Sequence, residues 1–91
     1  MKLTRGERAR TTLLLRCAAD VAVTGDHILG PGWSTAPRLG LGKRECDLAS
    51  RAASHVAKEI GRDPDVADDL DDYVAVVLEA ALRVEDGSWP T

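Results

Sequence analysis

The segment Pro64–Glu85, PDVADDLDDYVAVVLEAALRVE, carries the strongest periodic pattern of this 91-residue chain. Its apolar residues are spaced alternately by four and three positions, which is the spacing of one face of an α-helix: Val66, Leu70, Tyr73, Val77, Ala80 and Val84. Asp63 followed by Pro64 predicts the start of this helix, and Gly87 predicts its end. We therefore expect a helix over about residues 64–85.

Two more helices are predicted upstream. The first covers about residues 4–24, where Thr4 and Glu7 have the spacing of a capping box. The second covers about residues 43–60 and ends at Gly61. No alternating strand pattern runs past four residues, so the fold class is all-α, with three main helices in one small domain over residues 1–91 and a short tail at 87–91. The apolar face of the first helix includes Leu13, Leu14, Leu15, Ala18 and Ala22.

The Gly/Pro-containing connection over residues 25–42 is long for a compact domain, so we expect it to hold a short helical turn. It lacks the glycine and lysine spacing of a phosphate-binding loop and follows no strand, which excludes a nucleotide-binding loop. Trp33 lies in this connection and has two interpretations. Either it folds back onto the end of the bundle, or it is exposed and contacts a protein partner.

Charge is unevenly distributed along the chain. Residues 1–62 contain eleven Lys/Arg and six Asp/Glu, whereas residues 63–91 contain one Arg and nine Asp/Glu. Such a split is typical of a nucleic-acid-binding face or an acidic tail, but the two halves can equally neutralise each other within the fold or across a dimer. Asp65, Asp68 and Asp69 suit the start of the third helix, while Asp71 and Asp72 lie further inside its predicted range.

Catalytic, cofactor and metal sites are not predicted. The few potential soft ligands lack the spacing of zinc ligands, and no acid, base and nucleophile form a recognisable set: Cys17, His27, Cys46 and His55. The chain has no signal peptide pattern and no apolar run of membrane-spanning length. We therefore expect a cytoplasmic, non-enzymatic protein with reduced thiols, no cofactor and no membrane association.

The core predicted from this composition is thin, because alanine supplies much of its apolar content. Self-association would bury more apolar surface, so we expect a protein-interaction module that forms a homodimer and binds a further protein. The predicted interaction residues are the two tryptophans and the first part of the periodic face: Trp33, Trp89, Val66, Leu70, Tyr73 and Val77.

A helix-turn-helix regulator that binds DNA is the alternative. Residues 35–51 resemble the helix-turn-helix motif, with Ala36 in a first helix, Gly40 in the turn and Leu41, Cys46 and Ala49 following. Lys43, Arg44 and Arg51 would then contact nucleic acid. Pro37, Gly42 and Asp47 depart from the pattern, because they shorten the first helix, weaken the start of the second and repel phosphate.

The two ends of the chain resemble small accessory proteins of actinobacterial phages. The resemblance rests on LTRGERAR, residues 3–10, followed by Leu13–Leu15, and on RVEDGSWP, residues 83–90. It implies a phage source, a bacterial cytoplasm as the location and a host or phage protein as the partner. It assigns no catalytic residue.

Overall fold

A computed structural model describes residues 2–24, 36–37, 39–62 and 69–90 of the chain. In these ranges it contains three α-helices: α1 (Arg5–Thr24), α2 (Lys43–Ile60) and α3 (Leu70–Asp86). The helices pack into a small all-α bundle, as the sequence predicts, and α1 makes its most extensive contacts with α3. The predicted ranges of α1 and α2 are confirmed, whereas the predicted start of α3 is not.

α1 begins at the predicted capping box. The backbone N–H of Thr4 donates to Oε1 of Glu7, and the backbone N–H of Glu7 donates to Oγ1 of Thr4, both at 3.0 Å. These bonds satisfy two of the N–H groups that lack partners at the start of any helix. The buried face of α1 includes Leu14 and Leu15, but Leu13, which the sequence predicts on the same face, is 45% exposed. On the opposite edge of this face Thr11 and Thr12 are buried instead. The buried face of α1 is therefore rotated about the helix axis relative to the predicted one.

The predicted helical turn in the connection is confirmed by its described residues. Ala36, Pro37 and Leu39 have 3₁₀ geometry, and the backbone N–H of Leu41 donates to the carbonyl oxygen of Ala36 at 2.9 Å. Gly40 has a φ of 71°, a left-handed conformation that glycine adopts without steric cost. Ala36 is buried in the core, so the turn is anchored to the bundle just before α2 begins.

α2 covers the predicted range and ends as expected at Gly61, whose φ of 69° is typical of a helix C-cap. Its start depends on Glu45, a residue that the sequence analysis did not select. The Glu45 carboxylate accepts hydrogen bonds from the backbone N–H of Gly42 at 3.2 Å and from Nε of Arg10 at 2.8 Å. The side chain therefore caps α2 and ties it to α1, which offsets the weak helix propensity of Gly42.

α3 begins at Leu70, six residues after the predicted start. Asp69 has extended backbone angles (φ −156°, ψ 114°), and its carboxylate accepts from the backbone N–H of Asp72 at 3.1 Å, so Asp69 is the N-cap. A helix starting at Pro64 cannot pass through an extended residue, and that prediction is wrong. The later start places Asp71 and Asp72 in the first turn, where the helix dipole stabilises carboxylates.

The core joins all three helices with the C-terminal segment. Among the described residues, half of the twenty buried apolar side chains are alanines, which lets the helix backbones approach closely but buries little area per residue. Trp89 belongs to this core: it is 7% exposed, and its backbone N–H donates to the carbonyl oxygen of Arg83 at 3.1 Å. The segment after Gly87, predicted as a tail, thus packs against the bundle through Trp89.

Candidate interaction site

The start of α1 and the end of α3 enclose an open groove of about 430 Å³. It combines apolar and basic side chains of α1 with one carboxylate of α3; its lining is Arg5, Arg8, Ala9, Thr12, Leu13, Arg16 and Glu85. Arg8 joins the two helices at this groove. Its Nη1 donates to the carbonyl oxygen of Val84 at 2.7 Å, where the end of a helix leaves carbonyl groups unpaired and the dipole favours a cation.

The three arginines of the groove differ in their partners. Arg8 donates to a neutral backbone carbonyl and forms no ion pair with a described residue. The pKa of the Asp86 carboxyl is lowered by hydrogen bonds from Ser88 and then by the charges of Arg83 and Arg8, so Asp86 offsets the charge of Arg8 in part. Arg16 forms an exposed ion pair with Glu85 across the two helices. Arg5 makes no ion pair with any residue that the structure describes. The groove therefore keeps an excess of positive charge over an apolar floor, a combination that suits an acidic segment containing apolar side chains.

Three exposed leucines lie on the outward faces of α1 and α3, and one of them lines the groove. Leu13 is 45% exposed and lines the groove itself, while Leu78 and Leu82 are 44% and 53% exposed. Leu82 lies one turn before Glu85, and Leu78 lies one turn before Leu82, so both share one side of α3. We refer to Leu13, Leu78 and Leu82 as the outer leucines. Exposed large aliphatic side chains that gather on one face are typical of contact surfaces.

The predicted interaction residues are dispersed by the structure. Trp89, Tyr73 and Val77 are buried in the core of the single chain, at 7%, 5% and 0% exposure, so they offer no surface to a partner. Leu70 is 39% exposed at the start of α3. Trp33 and Val66 lie outside the described residues. Because Trp89 is buried, the segment after Gly87 is held to the bundle rather than free for a partner.

The residues of the nucleic-acid alternative all lie on exposed parts of α2. Lys43 and Arg51 are exposed, and the exposed Arg44 donates from Nε to Oε2 of Glu7 at 2.9 Å. The backbone hydrogen bond from Thr4 and, to a smaller extent, this bond from Arg44 lower the pKa of the Glu7 carboxyl. In the described part of the predicted first helix the chain forms a 3₁₀ turn rather than an α-helix.

Potential metal ligands are not grouped in the described part of the chain, where no three His, Cys, Asp or Glu side chains come together. Cys17 and Cys46 are both half-buried, and neither forms a disulfide bond. The pKa of the Cys17 thiol is raised, mainly by burial and secondly by the nearby Asp20 carboxylate. The thiol is therefore a poorer nucleophile. His55 is exposed on α2, and its Nε2 lies 3.2 Å from Oε2 of Glu59.

The groove has no local signal in the sequence, because its two sides are far apart in the chain. The basic residues of α1 form a visible polar stripe, but nothing local indicates that Val84 and Glu85 lie beside them. The sequence also does not indicate that Leu13 is exposed, since nothing in the run of three leucines, residues 13–15, distinguishes the exposed one from the buried ones.

None of the described helices combines the length and the apolar character needed to cross a lipid bilayer. No protein-family model matches this chain, and neither the curated proteins nor the solved structures compared with it give a significant match.

Proposed function

We propose that this chain is a non-enzymatic helical interaction module that associates with a second copy of itself through the outward faces of α1 and α3. The observation that carries the proposal is the pair of exposed leucines, Leu78 and Leu82, on one side of α3, together with the exposed Leu13 in a groove with excess positive charge. Apolar side chains in contact with water gain free energy when a partner covers them, by about 25 cal/mol per Å² of apolar surface buried.

The composition of the core supports this proposal. Ten of the twenty buried apolar residues in the described part of the chain are alanines, so the core formed by these residues contains few large side chains. A small domain with so little buried apolar area gains stability from association, because a partner that binds only the folded state shifts the folding equilibrium. The resemblance of the chain ends to phage accessory proteins makes a host or phage protein the further partner that we propose.

Sedimentation equilibrium over a wide concentration range tests the proposal. We expect a dimer mass for the unmodified protein and a shift toward the monomer for Leu82→Glu and Leu78→Glu, because each places a charge at the apolar contact. Ile60→Glu is the matched control, since Ile60 is an aliphatic side chain of similar exposure on α2. A monomer mass for the unmodified protein at the highest concentration would exclude self-association.

DNA binding by residues 35–51 is the second candidate. It is favoured by the glycine turn at Gly40 and by the exposed cations Lys43, Arg44 and Arg51 along the first half of α2. A mobility-shift experiment with duplex DNA at low salt tests it. Retarded DNA that is released when Lys43 and Arg51 are replaced by Glu would support this function, and no retardation of any duplex would exclude it.

A further inference from the structure

The groove between α1 and α3 carries positive charge that the described part of its own chain offsets only in part. Arg5 has no ion pair there, and Arg8 contacts a carbonyl oxygen rather than a carboxylate. The single carboxylate of the groove, that of Glu85, is already paired with Arg16. Binding of an acidic segment would therefore neutralise existing charge without displacing an existing ion pair.

The matching acidic segment lies at the other end of α3. Residues 69–72 contain three aspartates and no lysine or arginine. At the start of α3, Asp71 is exposed and makes no ion pair with a described residue, whereas Asp72 is held by Nη1 of Arg62 at 2.6 Å. Leu70, beside Asp71, is 39% exposed and supplies an apolar side chain for the apolar floor of the groove.

A chain cannot place this segment in its own groove. Leu70 and Glu85 lie at opposite ends of one rigid helix, about 22 Å apart at a rise of 1.5 Å per residue. A second copy of the chain faces no such limit. When two α3 helices meet antiparallel, the start of each lies near the end of the other, and Leu78 and Leu82 lie between the two ends.

We infer that the groove receives the acidic start of α3 from a second copy of this chain, with Asp71 of one copy facing Arg5 of the other. The inference rests on the self-association proposed above and specifies its geometry. The contact is self-complementary, because each copy contributes one groove and one acidic segment around a twofold axis. The outer leucines of α3 form the apolar centre, and the two charged ends fix the antiparallel orientation.

Charge reversal with a mixing step tests this geometry. In the Arg5→Glu homodimer, the new carboxylate at position 5 faces the carboxylate of Asp71 at both ends. In the Asp71→Arg homodimer, the new guanidinium group at position 71 faces Arg5 at both ends. Each variant alone is expected to associate roughly tenfold more weakly than the unmodified protein, or weaker still. An equimolar mixture is expected to recover the dimer, because the mixed dimer has one original and one reversed pair, both attractive.

Circular dichroism and thermal unfolding of each variant establish that it is folded. If both variants associate as tightly as the unmodified protein, the groove is not the docking site, although self-association through the leucines stands. If each is weakened and the mixture does not recover, Arg5 and Asp71 do not face each other and the inference is overturned. A monomeric unmodified protein overturns both proposals.

A second measurement needs no variant. Because the ends of the contact are exposed ion pairs, the dissociation constant of the unmodified dimer is expected to increase severalfold between low and high salt. A dimer held by leucines alone strengthens or stays constant as salt increases, and that result would overturn the charged contact.

Discussion

Nη1 of Arg8 lies 2.7 Å from the carbonyl oxygen of Val84, a residue 76 positions later in the chain. This hydrogen bond joins the first turns of α1 to the last turns of α3 at the point where α3 exposes unpaired carbonyl groups. A hypothetical Cβ on Gly87 would lie 3.6 Å from the same nitrogen, so the arginine also packs against the C-cap of α3. The bond holds one wall of the groove in place.

Replacing Arg8 by methionine is expected to lower the free energy of unfolding by about 1–2 kcal/mol, since a charged hydrogen bond to a partly buried carbonyl is lost while the length of the side chain is kept. Urea unfolding at a protein concentration too low for dimers measures the change. Arg5→Met is the matched control, because Arg5 lines the same groove without an ion pair to a described residue, and it is expected to change stability by less than about 0.5 kcal/mol. Equal effects of the two substitutions would show that the Val84 bond contributes nothing.

Trp89 is expected to contribute to stability as a core residue. Trp89→Ala should lower the free energy of unfolding by about 3 kcal/mol, because it leaves a cavity where the indole packs. Fluorescence provides the second measurement. In Trp33→Phe, whose only tryptophan is Trp89, we expect blue-shifted emission that moves to the red on unfolding. Emission typical of a water-exposed indole in the folded state would contradict the burial.

Two neighbouring buried threonines allow a matched test of polar burial. Oγ1 of Thr11 has no hydrogen-bond partner among the described residues, whereas Oγ1 of Thr12 donates to the carbonyl oxygen of Arg8 at 2.8 Å. Thr11→Val is expected to leave stability unchanged or to raise it by up to about 1 kcal/mol, and Thr12→Val to lower it by about 0.5–1 kcal/mol. The Tyr73 hydroxyl is also buried without a partner among the described residues, so Tyr73→Phe should behave like Thr11→Val. A reversed order of the two valine variants would contradict the hydrogen-bond assignment.

Stability is expected to decrease in acid partly through Glu45. The hydrogen bond from Arg10, together with bonds from backbone N–H groups, holds the pKa of the Glu45 carboxyl below its ordinary value of 4.5. Because the unfolded chain takes up a proton more readily, Glu45 stabilises the folded state above a pH of about 4.5, and this contribution is lost as the pH falls through the lower folded-state pKa.

Urea unfolding between neutral pH and about pH 3 measures this loss, and Glu45→Gln should show a shallower decline than the unmodified protein. Asp47→Asn serves as the control, because Asp47 is an exposed carboxyl on the same helix without an ion pair to a described residue. An unchanged pH dependence in Glu45→Gln would assign the acid sensitivity to other groups.

The sequence predicts those features whose signals are local. The Thr4–Glu7 capping box, the end of α2 at Gly61 and the end of α3 at Gly87 each depend on residues within one or two turns, and each is confirmed. The start of α3 was predicted wrongly because Asp63–Pro64 and Asp69 are both good helix starts. The apolar spacing through Val66 does not distinguish between them.

The candidate site is not predictable by the same means. The groove depends on which side of α1 faces α3, and the broad apolar face of α1 permits several rotations. Only packing decides that Leu14 and Leu15 are buried while Leu13 is exposed. The position of Trp89 similarly depends on the chain beyond Gly87 turning back toward the bundle, which no local pattern indicates.

The pairing of α1 with α3 has a consequence for the order of folding. The most extensive helix contact of the bundle joins the first helix to the last, so its loop must close over the whole of α2 and both connections. During synthesis α1 and α2 emerge first, and the surface of α1 that α3 covers stays open until the ribosome has added the residues around Val84. We therefore expect the bundle to fold late and as one cooperative unit, more slowly than helical proteins in which each helix packs mainly on the preceding one.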